Sequence, residues 1–226
     1  MAQPAISLAV TALVRFTLGI AAVLALLLLP AGTAAYWQAW VYSAVLFIPM
    51  LLALTWLLRH DPALLERRMR TKEKEAEQGL IRTLGAISYL LVFVLAGLDR
   101  RFGWSQVWAG VVTVADLLVL LGYALFVRVL QENSYASRVI EVEAGQRVIS
   151  TGPYRIVRHP MYLAILVMFG ATPVALGSWW AVIPSLPLVA VLVARIRVEE
   201  RLLGDRLEGY REYSQHTRHR LLPGVW

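Results

Sequence analysis

GPYRIVRHPMYLAILVMFGATPVALGSWW, residues 152–180, sets a dense polar motif directly against an apolar run. Tyr154, Arg155, Arg158, His159 and Tyr162 crowd the approach to a segment that a bilayer would accept with far less chemistry. Pro160 fixes an extended approach at His159 and then favours a helix start, so His159 falls at the mouth of a helix with Tyr162 just inside. The early N–H groups of such a helix are open to an anionic group such as a carboxylate. The run from Met161 ends at Gly177 and Ser178 and resumes at Trp179, a connection too short for anything but a tight helical hairpin.

Outward from this stretch the chain is apolar throughout. Of its 226 residues 58% are hydrophobic and 16% charged, and there are eight Trp, which excludes an ordinary soluble domain. Apolar runs at 6–29, 37–58, 80–98, 107–130, 161–176 and 179–194 predict an all-α integral membrane protein with about six transmembrane helices. The last two runs are short for a span and carry Pro173, Pro184 and Pro187, which predicts a tilted, kinked pair packed against other protein. Arg15, inside the first run, must snorkel or face protein. The N-terminal stretch MAQPAISLAV lacks the basic region of a secretory signal, so the first run is expected to be retained. The chain reads as a single membrane domain over 1–226, with N-terminal helices and a connector in 1–100 and a chemical core in 101–226.

Lys and Arg are distributed unevenly between the runs. Residues 59–82 hold seven, 128–158 five and 195–220 seven, whereas the turns on the other side hold none, Arg100 with Arg101, and none. This asymmetry predicts both termini in the cytoplasm, and with anionic lipid it accounts for the net charge of +7 without a nucleic-acid partner. The absence of cysteine excludes a thiolate nucleophile, a disulfide framework or a cysteine metal site, and four scattered His give no metal-ligand spacing. DPALLERRMRTKEKEAEQG, residues 61–79, starts with an N-cap and proline at N1. It fits a helix riding on the membrane surface or, more plainly, a solvated connector. RVIEVEAGQRVISTGPY, residues 138–154, alternates apolar and polar residues on both sides of 143–146, which suggests a short hairpin or extended loop.

Three polar clusters fall on one side: Arg128 with residues 131–135, the opening motif, and RIRVEERLLGDRLEGYREYSQHTRHRLLPGVW. Arg195 and Glu199 share a helix face. Glu199 and Glu200 at the membrane edge admit two readings, a salt-bridged helix exit or an anionic site for a cation brought from the cytosol.

GPYRIVRHPMY, followed about forty residues later by RxxxEE and then YREY…RHRLLPGVW, resembles the isoprenylcysteine carboxyl methyltransferase family. That family lies within a wider group of membrane methyltransferases that includes phospholipid N-methyltransferases. The resemblance covers residues 131–226. It implies S-adenosylmethionine bound without metal at the cytosolic side of the last helices, in a bacterial inner membrane. It also implies a lipophilic or prenylated acceptor arriving from the lipid, and no obligate protein partner. The family's RHPxY maps to Arg158, His159, Pro160 and Tyr162, its double glutamate to Glu199 and Glu200, and its turn to Gly152, Pro153 and Tyr154. Its C-terminal element maps to Tyr210, Tyr213, Arg218, Arg220 and Pro223, which would wrap the adenosine.

The residue types suit a zwitterionic sulfonium. Glu199 or Glu200 would take its ammonium, and Arg158 or the helix mouth at His159 its carboxylate. Arg158 and Glu200 are placed among the catalytic positions, and Arg128, at the cytoplasmic end of the fourth apolar run, is the candidate to hold an acceptor carboxylate. The expected reaction is carboxyl methylation of an isoprenylcysteine-like or isoprenoid acid. Methylation of a phospholipid, amine or thiol is an alternative, as is the nicotinamide chemistry of the sterol reductases, which share a related membrane core.

Overall fold

The structure is a computed structural model that describes residues 2–69, 76–136, 142 and 145–226. Among these the chain is helical and without strands: α1 Ala2–Ala31, α2 Trp37–His60, α3 Pro62–Met69, α4 Ala76–Phe102, α5 Ala109–Glu132, α6 Pro160–Ala175, α7 Pro187–Arg206 and α8 Tyr210–His216. Single 3₁₀ turns stand before α6, at Gly152–Arg155, and before α7, at Trp180–Ser185. It is an all-α integral membrane protein. Five helical segments are long and apolar enough to cross a bilayer. The fifth apolar run, expected as one of six spans, forms α6 of 16 residues, whereas the sixth, expected to be short, joins its 3₁₀ turn to α7 in a 27-residue candidate span. For α6 that is about 24 Å of helix against roughly 30 Å of hydrocarbon.

Small residues let the helices approach closely. A Cβ added at Gly122 of α5 would come within 2.6 Å of Met168 and 3.0 Å of the Ala164 carbonyl, so α6 seats directly on α5. Gly97 of α4 does the same against the Leu27 carbonyl of α1, at 2.6 Å. The hairpin α6–α7 is therefore not a self-packed pair. Its first helix rests mainly on α5, and the 3₁₀ turn beyond it rests on α4. Gly177 makes the bend at φ +73°, a left-handed conformation that costs glycine little.

The two ends of the bundle differ in composition. Trp37, Trp40, Trp104, Trp108, Trp179 and Trp180 all gather, exposed, at the end where α2, α5 and the 3₁₀ turn before α7 begin. This is the aromatic belt of one membrane interface. At that end the Asp99 carboxylate, 2% exposed, accepts from the Ser105 amide at 2.7 Å, from the Ser105 hydroxyl at 2.7 Å and from the Ser178 hydroxyl. The other end carries α3, α8 and the C-terminal segment.

There α3 has more than a connector's role. Asp61 accepts from the Leu64 amide at 2.9 Å as its N-cap, and Leu64 and Leu65 are buried against α2 and the end of α5. Arg67 donates to the Ser134 carbonyl and Arg68 to that of Ala136, both at 2.8 Å, while Arg15 of α1 donates to Met69. Of the hairpin expected around residues 143–146, the positions 143–144 and the strand before them, 138–141, lie outside the described residues.

Candidate active site

A cleft opens at this second end, between the start of α6, the last turns of α7, α8 and the segment that leads from α5 to α6. Proline chemistry builds its floor. His159 is held out of the helical conformation before Pro160, at φ −124° and ψ 60°, and its amide and that of Arg158 donate to the carbonyls of Arg220 and His219, each at 2.9 Å. The C-terminal segment is thereby stitched along the RHP motif. Arg158, 9% exposed, also donates through its guanidinium to the carbonyls of Thr217 at 2.9 Å and Arg218 at 3.0 Å.

The two glutamates have different surroundings. Glu200 accepts from Arg158 Nε at 2.7 Å and Arg220 Nε at 2.6 Å, and His159 Nε2 lies 3.3 Å away. Three basic side chains from two distant parts of the chain converge on one carboxylate, which locks the tail to the α6 mouth. Glu199, on the neighbouring face of α7, lines the cleft and accepts from the Tyr162 hydroxyl at 2.5 Å, and that hydroxyl accepts from Arg195 Nε at 3.0 Å. Arg195 and Glu199, expected on one helix face, both meet the Tyr162 hydroxyl.

Tyrosines make the remaining wall. Tyr154 accepts from the Asn133 side chain at 2.8 Å, and Tyr213 donates to the Tyr154 carbonyl at 2.7 Å. Burial raises the hydroxyl pKa of Tyr154 and Tyr210 and pushes that of Tyr213 up to about 12, so all three stay protonated near neutrality. The Tyr210 hydroxyl is buried yet has no hydrogen-bond partner among the described residues. A buried hydroxyl without a partner costs on the order of 1 to 3 kcal/mol, so this atom is poised for a ligand.

Tyr154, Arg158, His159, Pro160, Tyr162, Glu199, Tyr210 and Tyr213 all line the cleft. Arg220 and Glu200 stand behind its wall as the lock. Arg218 contributes only its carbonyl, its side chain being exposed. Arg128 is not brought to the cleft. Its guanidinium, 53% exposed, pairs with the half-buried Glu132 at 2.8 Å one turn on. Glu132 in turn accepts from Thr151, and its carboxylate lies where a Cβ on Gly152 would sit, 2.6 Å away, so Gly152 at φ +54° cannot be substituted without displacing it. This cluster ties the end of α5 to the Gly-Pro turn.

Asn133, Tyr135, residues 146–149, Leu203 and Leu207 also line the cleft. The alternating pattern around 148 and 149 was the available signal for the loop. Nothing in the α7 sequence separates Leu203 and Leu207 from lipid-facing leucines.

Residues 111–207 match the model of the phospholipid methyltransferase family, which takes in α5, the RHP motif, α6 and the double glutamate. The chain is also 30% identical over 135 residues to the cobalt-zinc-cadmium resistance protein CzcN of Cupriavidus metallidurans, an alignment over 59% of this chain and 61% of that protein. The chain thus spans about three fifths of the length of the curated relative it matches. The family match supports the broad grouping of membrane methyltransferases for this segment, and does not single out the isoprenylcysteine branch within it.

Proposed function

We propose that this protein transfers a methyl group from S-adenosylmethionine to a lipophilic acceptor that reaches the cleft from the bilayer. The observation that carries this reading is the chemistry of the cleft: a carboxylate, an unpartnered buried hydroxyl and aromatic walls, set at the mouth of a short membrane helix. The family match over α5 to α7 supports it.

The residues present fit the cofactor. Glu199 would hold the ammonium, Tyr210 would give its unused hydroxyl to a polar atom of the nucleoside, and the early amides of α6 would face the carboxylate. The chemistry supplied on binding is an electrophilic methyl on a sulfonium, and no metal is needed for its displacement. The protein's contribution is then to position the reactants and exclude water. Tyr162 keeps Glu199 oriented, and the Glu200 lock holds the tail that closes the site.

The acceptor reading is finer. A carboxylate acceptor of the isoprenylcysteine or isoprenoid kind needs a cation to hold it. Arg158 is committed to Glu200 and three carbonyls, so Arg147, which lines the cleft, takes the role expected of Arg128. A phospholipid amine acceptor is the second reading, favoured by the description of the matching family. The cofactor face is cytoplasmic in either case, on the Lys/Arg asymmetry.

The test offers radiolabelled S-adenosylmethionine to lipophilic acids, prenylated cysteines, lipid amines and hydrophobic thiols in nanodiscs. Transfer to an acid, abolished in Arg147→Ala and retained in Arg128→Ala, supports the first acceptor reading. Transfer to amines alone replaces it with the second. Absence of S-adenosylhomocysteine binding in the folded protein removes the methyltransferase reading altogether.

A further inference from the structure

Outside the cleft, on the opposite face of α7, Arg197, Arg201 and Arg220 surround a shallow depression whose fourth wall is Glu200. Arg197 and Arg201 are four residues apart on the exposed face of the helix, and among the described residues neither is paired with a carboxylate. Like charges at this spacing repel, so the arrangement costs stability unless an anion lies between them. Arg220 uses its Nε on Glu200, and a guanidinium carries five N–H donors in all. Its other face lies 5.3 Å from the Trp226 ring.

The depth of this patch is set by the geometry of the span. From Trp180, in the aromatic belt, the 3₁₀ turn rises about 12 Å and α7 from Pro187 to Arg197 about 15 Å. Together they carry the chain nearly the thickness of a hydrocarbon core, roughly 30 Å. Arg197 therefore emerges at the headgroup level of the leaflet on the cleft side. Next to the arginines, the amides of Arg220, Leu221 and Leu222 all turn onto the Trp226 carbonyl. That tight turn leaves Leu222 and Val225 exposed, Val225 by 78%. Guanidinium groups at phosphate depth beside exposed apolar residues are the composition of a surface that enters a lipid interface.

We propose that Arg197, Arg201 and Arg220, with the Leu222–Trp226 turn, form a binding site for the headgroup phosphate of an anionic phospholipid. The site lies on the far side of the Glu200 lock from the methyl-transfer cleft, shares Arg220 with that lock, and does not depend on the reading of the cleft. The arginines hold the phosphate by charge-assisted hydrogen bonds, while Leu222 and Val225 rest among the upper acyl carbons and Trp226 packs back on the core beneath Arg220.

The experiment uses the full chain in nanodiscs containing photoactivatable phosphatidylglycerol or phosphatidylcholine at equal mole fraction, with crosslinks mapped by peptide mass spectrometry. The phosphatidylglycerol probe is expected to label residues 197–201 and 220–226 roughly tenfold more than the phosphatidylcholine probe, and Arg197→Gln with Arg201→Gln to bring the two near parity. Equal labelling by both probes in the unaltered protein overturns the proposal. So does a double variant that keeps its unfolding temperature and its full preference. If the double variant does not fold, the unaltered protein is labelled at rising ionic strength. Loss of the preference supports the site and persistence overturns it. A further arm measures hydrogen exchange in detergent without anionic lipid. Protection of both segments by inorganic phosphate equal to that given by phosphatidylglycerol marks a soluble-anion site and overturns the lipid assignment.

Discussion

Asp99 at the belt end and the Glu199–Glu200 pair at the cleft end are both acidic groups at the edge of a membrane bundle, and they are handled in opposite ways. Asp99 is enclosed by donors from two nearby turns, Ser105 and Ser178, and these same serines receive the amides of Trp179 and Ala181. Every partner there is local chain or its immediate neighbour in space, and the result is a closed knot that holds the start of the 3₁₀ turn on α4. At the cleft end one carboxylate, Glu200, is saturated by cations from the motif and the tail, while the next, Glu199, faces the cleft alongside a tyrosine hydroxyl with no partner. The belt-end carboxylate is completed by its own chain, whereas Glu199 and the Tyr210 hydroxyl stand at a cavity that a ligand can enter.

This contrast can be broken most severely at the lock. Glu200→Gln leaves Arg158, Arg220 and His159 around a neutral amide, and a loss of about 3 kcal/mol in stability is expected, read as a lower unfolding temperature in detergent together with loss of S-adenosylhomocysteine binding. Unchanged melting would mean that the tail is held without it. Asp99→Asn turns one acceptor into a donor facing the two serines, and should cost about 2 kcal/mol in the same melting assay. Its affinity for S-adenosylhomocysteine should not change. A binding defect with normal melting would make the belt end part of the site and erase the distinction.

Glu199→Gln sharpens the contrast from the other side. Loss of a charge-assisted contact of about 1.5 to 3 kcal/mol corresponds to a fall in affinity of roughly ten- to a hundredfold by calorimetry, with the melting temperature within a few degrees of the parent. Equal loss of stability would place Glu199 with Glu200 as a structural group. The smallest effect has the most diagnostic sign. Tyr210→Phe removes a buried hydroxyl with no partner, so the ligand-free protein should melt at the same temperature or higher, while affinity falls by a factor of about three to ten. Lower stability without a change in affinity would show that the hydroxyl is satisfied within the fold.

Much of the site was legible because its parts are local and chemically marked. The RHP motif announces itself through proline geometry, and the tyrosines of 210 and 213 fall on one side of a short helix at spacing that buries both. Arg128 falls outside the cleft lining for an equally physical reason: helix periodicity places Arg128 and Glu132 on one face but does not say which way that face points, and there the two pair with each other. α3 was underread in the same manner, since ERRM carries no sign that Arg67 and Arg68 would reach carbonyls some sixty residues away.

The sequence by itself determined the class of the protein, the apolar helices, the short α6 and the side of the bundle on which the polar motifs gather, because hydropathy, proline and charge counts act over a few residues or along one helix. The division of labour between Glu199 and Glu200 was decided only in three dimensions. Adjacent residues on a helix differ by about 100° in direction, so one carboxylate meets Arg158, His159 and Arg220 while its neighbour meets Tyr162 and the cleft. Which of the two is saturated depends on where the tail, some twenty residues further on, returns to pair with the RHP backbone.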